Sequence, residues 1–294
     1  MIAMNDVYIK EFESVSEFFS FIPEKLITRD HNYGFRGHAS ASWLLAPTLA
    51  RFVDGILTAF PKRSMYREKT TKIVLNRLRD EFKRNLIINN DLPQDRIENM
   101  DIWQYGQHFG LPSPLLDWTH SPYVALFFSL NENSVDKPDE KRCVWVIDLD
   151  LIDQINFMVT SRVWPKLREA IKSEELLKEQ FPILEVVQEI DQNNRRLAFQ
   201  QGFFTKHEYY LSLEVWLNRI ISEVAMKNAD RPVLHKYIFS CSEQERISFL
   251  DKLDKMNINN RTLFPDISGS VKDAIDSTFR SFQSPSAKEF HFSR

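Results

Sequence analysis

Residues 107–130, QHFGLPSPLLDWTHSPYVALFFSL, constrain the fold and chemistry of this chain more than any other segment. They place the charged Asp117 between two leucines and a tryptophan, and an apolar run ending in two phenylalanines follows. Burying a carboxylate alone among such residues is costly, because nothing there replaces its hydration. Asp117 is therefore predicted to be paired, hydrogen-bonded, or used in binding or catalysis.

The composition indicates a soluble globular protein with a sizeable core. The chain has 294 residues, 43% hydrophobic and 27% charged, and a formal net charge of -3. That balance gives no global argument for binding nucleic acid or a membrane. The two cysteines, Cys143 and Cys241, are far apart and are predicted to be reduced thiols. We find neither a signal peptide nor a long apolar run, so we expect a cytoplasmic protein without membrane contact.

Strand and helix patterns alternate along the whole chain, which predicts an α+β fold. We expect one domain over residues 8–280, built on a central mixed or antiparallel sheet flanked by helices, and a C-terminal tail over 281–294. Residues 142–149, RCVWVIDL, are apolar on both faces and are predicted to form a central strand. Further strands are expected at 7–12, 33–36 and 234–239, and helices at 61–85, 98–109, 121–130, 167–190 and 271–282.

The predicted helix at 61–85 has a positive exposed side. Between Lys62 and Arg84 there are nine basic and three acidic residues. Two interpretations stay open: a solvated helix face, or a surface that contacts phosphates or RNA.

A first cluster of chemically suggestive residues is Phe35-Arg36-Gly37-His38. Arg36 at a strand end suits an anionic group, because its guanidinium is a rigid fork of donors. Gly37 would let a ligand approach the backbone. The alternative is that Arg36 ties down a loop or pairs with a carboxylate such as Asp117.

The second cluster runs from His108 to Thr119. Phe109 and Trp118 could stack on a flat ring, while Asp117 and Thr119 supply polar contacts. The alternative is a helix N-cap with Asp117 near the positive end of the following helix. Both interpretations are compatible, since a helix N-terminus can itself bind an anion.

The third cluster is the amide pair Gln200-Gln201 before Gly202. Paired amides can hold a substrate, or they can satisfy the end of a sheet in a turn. The common templates GxSxG, GxxxxGK[ST], HExxH and GxGxxG are absent from the sequence. We therefore expect no metal site.

These clusters, in this order, resemble the FRG domain family, named for its Phe-Arg-Gly motif. The matching positions are Phe35-Arg36-Gly37, Leu45 to Leu49 with Arg51, Gln107 to Thr119 with Pro122, Ala125, Leu126 and Phe128, then Arg196, Gln200, Gly202 and Phe204, and finally Leu263 to Gly269. The family usually has Thr-Arg where this chain has Ser113-Pro114. If that arginine holds a phosphate, this chain has lost or relocated one contact. The family is often associated with bacterial anti-phage defence.

A second resemblance is to ADP-ribosyltransferases. It implies a split sheet, NAD as substrate, Arg36 on the diphosphate, Thr119 on the nicotinamide ribose, and Trp118 or Phe109 on the nicotinamide. The implied catalytic residues are Gln201, Gln200, Asp117 and His108, and the implied NAD-binding residues are Arg36, Gly37, Thr119, Trp118 and Phe109. These enzymes commonly have a glutamate on the late strand, where this chain has Gln200 and Gln201. Glu208 and Glu214 follow in a segment predicted to be helical.

Three functional hypotheses follow from these patterns. The first is an NAD-consuming ADP-ribosyltransferase, a toxic effector in bacterial defence, with an RNA or protein acceptor and an antitoxin or regulator as partner. The second is a non-catalytic module that binds a nucleotide or nucleic acid through Arg36 and the basic helix. The third is a phosphodiesterase or nuclease that uses His108, Asp117 and His120. We predict that Arg36, His108, Asp117, Thr119 and Gln201 converge in one cleft.

Overall fold

A single mixed β-sheet organises the computed structural model of the chain. The structure describes residues 7–99, 101–131, 141–168, 171, 183–188, 195–207, 211–223 and 231–283. Within these residues seven strands follow the order β1-β7-β4-β2-β3-β6-β5. The strands are β1 Val7–Phe12, β2 Tyr33–His38, β3 Leu115–Thr119, β4 Arg142–Asp148, β5 Glu185–Val187, β6 Gly202–Lys206 and β7 Leu234–Phe239.

Helices cover the sheet and also build one side of the molecule. They are α1 Val15–Lys25, α2 Thr48–Ala59, α3 Arg67–Ile88, α4 Gln94–Asn99, α5 Ile102–Gln107, α6 Pro122–Asn131, α7 Leu149–Met158, α8 Trp164–Leu167, α9 Arg195–Phe199, α10 Leu213–Glu223, α11 Glu243–Lys255, α12 Asn260–Leu263 and α13 Ile267–Gln283. A 3₁₀ turn, Pro61–Tyr66, precedes α3, and a π-helical turn, Val159–Val163, follows α7.

The strands pair antiparallel except at one edge, where β1 runs parallel to β7. A mixed sheet with helices on its faces confirms the predicted α+β class. None of the described helices is both long enough and apolar enough to traverse a membrane.

Strand β4 is the centre of the core, as its sequence predicted. All seven of its residues are buried. Val144 and Val146 point to one face, where they join residues of α1, α6 and α11. Trp145 and Ile147 point to the other, where they join residues of α7 and α10. Because both faces are covered, the strand carries no polar alternation.

The sheet is weakest between β2 and β3. Strand β2 pairs with β4 along its whole length, but it pairs with β3 only through Phe35 and Thr119. Beyond that pair the Arg36 Nη1 donates to the Asp117 carbonyl at 2.7 Å. A side chain thus takes the place of a backbone ladder contact, and a cleft opens beside the junction.

Gly37 sets the distance between β2 and α6. A Cβ at this position would lie 1.9 Å from the Ala125 carbonyl oxygen and 2.6 Å from the Ser129 amide nitrogen. Both atoms are backbone, so the helix would have to move. The sequence interpretation assigned this glycine to ligand approach. The close approach in the structure is to α6.

Several predicted elements need correction. The helix predicted at 98–109 is two helices, because Asp101 caps a new one by accepting from the Trp103 and Gln104 amides. Helix α2 was not predicted, since its apolar residues were interpreted as a return segment. Within the predicted helical stretch 167–190, residues 185–187 form strand β5. Residues 169–170, 172–182 and 189–190 of that stretch lie outside the described residues, as do 284–294 of the predicted tail.

Candidate functional site

The cleft beside the β2–β3 junction has a volume of about 970 Å³. Its walls come from β2, the loop after it, the start of α2, the end of α5, β3 and α9. The volume is at the upper end of the range for small-molecule sites. Seven predicted site residues line it: Arg36, Gly37, His108, Asp117, Trp118, Thr119 and Gln200.

Arg36 and Asp117 form the central contact of the cleft. Arg36 Nη1 lies 3.2 Å from Asp117 Oδ2 in addition to its bond to the Asp117 carbonyl. The arginine side chain is 20% exposed and the carboxylate 62% exposed. The Arg36 Nη2 has no hydrogen-bond partner among the described residues. The pair therefore offers both unused donors and an accessible carboxylate.

A chain of hydrogen bonds fixes the other carboxylate oxygen of Asp117. Gln107 Nε2 donates to Asp117 Oδ1 at 2.9 Å, and Ser113 Oγ donates to Gln107 Oε1 at 2.7 Å. Thr48, at the start of α2, accepts from the Ser113 amide at 2.9 Å. This network connects α2, α5 and β3. Ser113, where the FRG family usually has threonine, is thus a structural link.

His38 holds Arg36 from the opposite side. The Arg36 Nε donates to His38 Nε2 at 3.1 Å. Burial, and secondarily the Arg36 charge, lower the pKa of His38 from 6.5 to about 3. The imidazole is therefore neutral at physiological pH, with Nε2 as the acceptor. The sequence interpretation gave His38 no role, and a buried position could not be read from the motif.

A second arginine–aspartate pair contributes its arginine, Arg196, to the cleft lining. Arg196 contacts Asp266 at 2.5 Å and donates to Ser268 Oγ at 3.0 Å. The Ser268 hydroxyl, together with Arg196 and the Gly269 amide, lowers the pKa of Asp266 to about 2. Arg196 also acts on His108, whose pKa is lowered first by burial and then by this charge. His108 is therefore favoured in its neutral form.

Two predicted ligand contacts are occupied by structural bonds. Thr119 is 3% exposed, and its hydroxyl donates to the Gln200 carbonyl at 2.6 Å and accepts from the Ser121 amide at 3.0 Å. Trp118 is also 3% exposed, and its indole donates to Thr205 Oγ1 at 2.8 Å. Both residues border the cleft, but their polar atoms are satisfied inside the protein.

Three predicted residues lie away from the cleft lining. Phe109 is 73% exposed and packs against Tyr105. Gln201 is exposed in a left-handed turn with φ 49°, where its carbonyl accepts from the His120 amide. His120 itself stacks on Phe203, with ring centroids 4.6 Å apart. Only Gln200 of the amide pair faces the cleft, where its side chain donates to the Leu263 carbonyl at 2.9 Å.

The structure adds cleft residues that sequence reasoning did not select. Trp43 is 48% exposed and meets the His38 ring edge-on, so one wall carries an accessible aromatic surface. Arg51 is a second lining arginine near the loop. Gln107 was inside a quoted motif but had no assigned role, and its contact with Asp117 gives the position a physical reason.

The loop that carries Trp43 is anchored from behind. Glu214 on α10 is fully buried, and its Oε1 accepts from the Leu45 amide at 2.9 Å. The Leu213 amide donates to the Leu45 carbonyl at 2.9 Å. Glu214 therefore supports the cleft wall from the core. Glu208, the other nearby glutamate, lies outside the described residues.

The fold and cleft define an α+β domain with an arginine-rich cleft at a sheet junction. Residues 31–138 match the FRG domain family, and they contain Arg36, Gly37, Gln107 and Asp117. The predicted resemblance to this family is confirmed over these residues. No curated protein and no solved structure matches the chain, so the likeness to ADP-ribosyltransferases is not confirmed. Among the described residues, His, Cys, Asp and Glu form no group of three suited to a metal ion.

Proposed function

We propose that the cleft binds NAD and cleaves its bond between nicotinamide and ribose, transferring ADP-ribose to an acceptor. The observation that carries this proposal is the Arg36–Asp117 pair. An unused face of a guanidinium and an accessible carboxylate stand together in a cleft of dinucleotide size. Such a pair offers a positive charge to the diphosphate of NAD and a negative charge to the ribose carbon at which the bond breaks.

The binding step uses charge and ring complementarity. Arg36 Nη2 is available to a diphosphate oxygen, and Arg51 supplies a second positive charge along the same lining. Guanidinium groups suit phosphates because they donate two parallel hydrogen bonds. Trp43 offers a face on which a base can stack.

The chemical step follows from the position of Asp117. When the C1′–N bond breaks, its electron pair leaves with nicotinamide and positive charge develops on the ribose. An ionised carboxylate beside that carbon stabilises the transition state. The acceptor then forms a bond to C1′ and gives up its proton to neutral His108. Gln107 keeps Asp117 oriented throughout, since it holds the oxygen that Arg36 does not.

A second candidate is nucleotide binding without turnover. Both oxygens of Asp117 already accept hydrogen bonds, and Gln201 stands outside the cleft lining. This arrangement favours a holding role, in which the same residues bind NAD but nicotinamide is not released.

The biological setting remains part of the proposal. An NAD-consuming enzyme depletes a central metabolite, which fits the toxic effector of bacterial defence that the FRG resemblance implies. An antitoxin or regulator would then keep it inactive. We expect expression of the wild type to arrest growth of a bacterial host, and expression of Arg36→Ala to be harmless.

The direct test measures nicotinamide release from NAD by wild type, Arg36→Ala and Asp117→Asn. We expect each variant to lose about 100-fold or more in rate, the usual scale for removing one electrostatic group from a transition-state site. Arg29→Ala, an exposed arginine outside the cleft lining, is the matched control and should keep the wild-type rate. Tight NAD binding by wild type without nicotinamide release would replace this proposal with the second candidate.

A further inference from the structure

Helix α3 concentrates positive charge in a chain that is acidic overall. Nine basic and three acidic residues between Lys62 and Arg84 give this segment a net charge of +6, whereas the whole chain carries -3. The remainder of the chain is therefore strongly negative. Such asymmetry marks a surface that attracts anions rather than an ordinary solvated face.

One face of α3 is packed and the opposite face is open. Thr71 and Leu86 are buried on the inner face, where Leu75, Leu78 and Phe82 also pack against the core. The outer face presents Tyr66 at 63% exposure and Ile73 at 53%, with exposed cations at helical spacing between and beyond them. We call this outer face, defined by Tyr66, Lys69, Ile73, Arg77 and Arg84, the α3 face.

Local ion pairs account for only part of the positive charge. Lys72 pairs with Glu68, Arg79 with Asp80, and Arg84 with Glu81 within the helix. Arg67 pairs with Asp54 of α2 at 2.5 Å. In the described part of the chain Lys62, Lys69, Arg77 and Lys83 form no ion pair.

Helix α3 is connected to the cleft wall near its start and through Phe82. Asp54, the partner of Arg67, lines the cleft near the start of α3. Further along, Phe82 stacks on Tyr105 of α5, and the last residue of α5, Gln107, lines the cleft. The helix has 22 residues and is about 33 Å long. Helix α3 therefore contacts two elements of the cleft wall.

We propose that the α3 face binds single-stranded nucleic acid and presents it to the cleft as the acceptor. Lys69 and Arg77 would follow the phosphates, and Tyr66 would stack on a base. Exposed aromatic and apolar groups interleaved with cations favour a strand with accessible bases over a duplex. As an acceptor site this inference rests on the proposed function. As a binding surface it does not.

The test measures anisotropy of a labelled RNA of about 12 nucleotides, a length within the usual site sizes, over a range of salt concentrations. We expect the double variant Lys69→Glu/Arg77→Glu to weaken binding at least tenfold. The charge-matched control is Lys255→Glu/Lys272→Glu, which reverses two exposed lysines on α11 and α13 and should bind as wild type does. Neutral replacement with Gln at Lys69 and Arg77 should reduce the log–log salt slope by about 0.7 for each lost phosphate contact.

Further binding measurements identify the ligand and the role of base stacking. Tyr66→Ala should weaken binding about fivefold or more while leaving the salt slope unchanged, because stacking is not ionic. DNA of the same sequence distinguishes RNA from single-stranded nucleic acid in general, and both results support the α3 face. Stronger binding of a duplex would overturn the proposal, as would equal binding by the α3 and control variants.

The failure of this inference can be separated from failure of the proposed function. RNA binding that depends on the α3 face without nicotinamide release would preserve the surface and reject the enzyme. Nicotinamide release with ADP-ribose appearing only on protein, and equally in the Lys69→Glu/Arg77→Glu variant, would preserve the enzyme and reject the nucleic-acid acceptor.

Discussion

Two arginine–aspartate pairs each place their arginine in the cleft lining, and they differ in what surrounds the carboxylate. Asp266 accepts from the Ser268 hydroxyl and the Ser268 and Gly269 amides besides Arg196, so its oxygens hold the start of α13. Among the described residues, Asp117 accepts from Arg36 and Gln107 only, and it is 62% exposed. The same two residue types thus make a structural cap on one side and an accessible charged pair on the other.

The difference teaches that exposure and unused hydrogen-bonding capacity identify a site better than ion pairing does. Arg196 donates from Nε to Asp266 and from Nη2 to Ser268, and its guanidinium lies over the ring of Phe264. Arg36 is held by His38 and by Asp117, yet its Nη2 has no partner in the described part of the chain. We therefore expect perturbations around Arg36 to change ligand binding, and perturbations around Arg196 to change stability.

The largest expected effect comes from moving the strand that carries Arg36. Gly37→Ala should lower the free energy of unfolding by about 3 kcal/mol or more, because the added carbon meets two backbone atoms of α6 that a rotamer change would not relieve. Urea denaturation measures it. A stable, wild-type-like Gly37→Ala protein would show that β2 and α6 do not fix the Arg36 pair.

Gly55→Ala is the matched control for this substitution. Gly55 lies within α2, and a Cβ there meets nothing within 4 Å. Alanine in a helix interior should raise the free energy of unfolding by about 0.5–1 kcal/mol. The same chemical change therefore has opposite signs at the two positions, which separates close packing from a general effect of alanine.

The next effect concerns pH and the histidine that holds Arg36. The native pKa of His38 is about 3, against an ordinary value of 6.5, so the unfolded chain binds a proton that the native state excludes between these values. The contribution of neutral His38 to the free energy of unfolding is complete above pH 6.5 and is lost as the pH falls toward 3. His38→Gln keeps an acceptor for Arg36 but does not titrate.

We expect wild type to lose up to about 2 kcal/mol more stability than His38→Gln between pH 6.5 and about pH 5. His207, whose pKa burial lowers to about 4, titrates in both proteins and cancels in the difference. Denaturation at several pH values measures this difference. Parallel pH curves for the two proteins would contradict a neutral, buried His38.

The smallest expected effect on stability concerns the Arg196–Asp266 pair. The pKa of Asp266 is lowered to about 2 from 3.8, so its stabilising contribution is present above pH 3.8 and is lost as pH falls toward 2. Asp266→Asn should remove this pH dependence. Because the side chain is 37% exposed, solvent screening limits the change to under about 1 kcal/mol. A larger loss of stability in Asp266→Asn, or a loss of ligand binding, would contradict the distinction between the Arg196–Asp266 and Arg36–Asp117 pairs.

The sequence predicted correctly those elements whose local residue pattern reflects how the element is buried. Strand β4 was recognised because it is apolar on both faces, and α6 because Pro122 begins an apolar helix. Helix α2 was missed because its apolar residues also fit an extended return. Motif order brought Arg36 and Asp117 together correctly, since both contribute to the lining of one cleft.

The details of the cleft depend on contacts that no local pattern encodes. Trp118 and Asp117 are neighbours on a strand, so their side chains point to opposite faces, and the tryptophan enters the core. Gln200 and Gln201 are equivalent in sequence, but a left-handed turn separates them. His38 became recognisable only when burial and its bond to Arg36 were seen together.

Equilibrium dialysis of NAD against wild type, Arg36→Ala and Arg196→Ala tests the central claim most directly. Because Arg36 stands beside the 62% exposed Asp117, whereas Arg196 is bound to an aspartate that holds the start of α13, Arg36→Ala should weaken NAD binding at least tenfold, a loss of about 1.4 kcal/mol or more. Arg196→Ala, confirmed as folded by its unfolding transition, should stay within about threefold of wild type. Equal losses in the two variants, or NAD binding that is indifferent to Arg36, would contradict the assignment of the accessible pair as the ligand site.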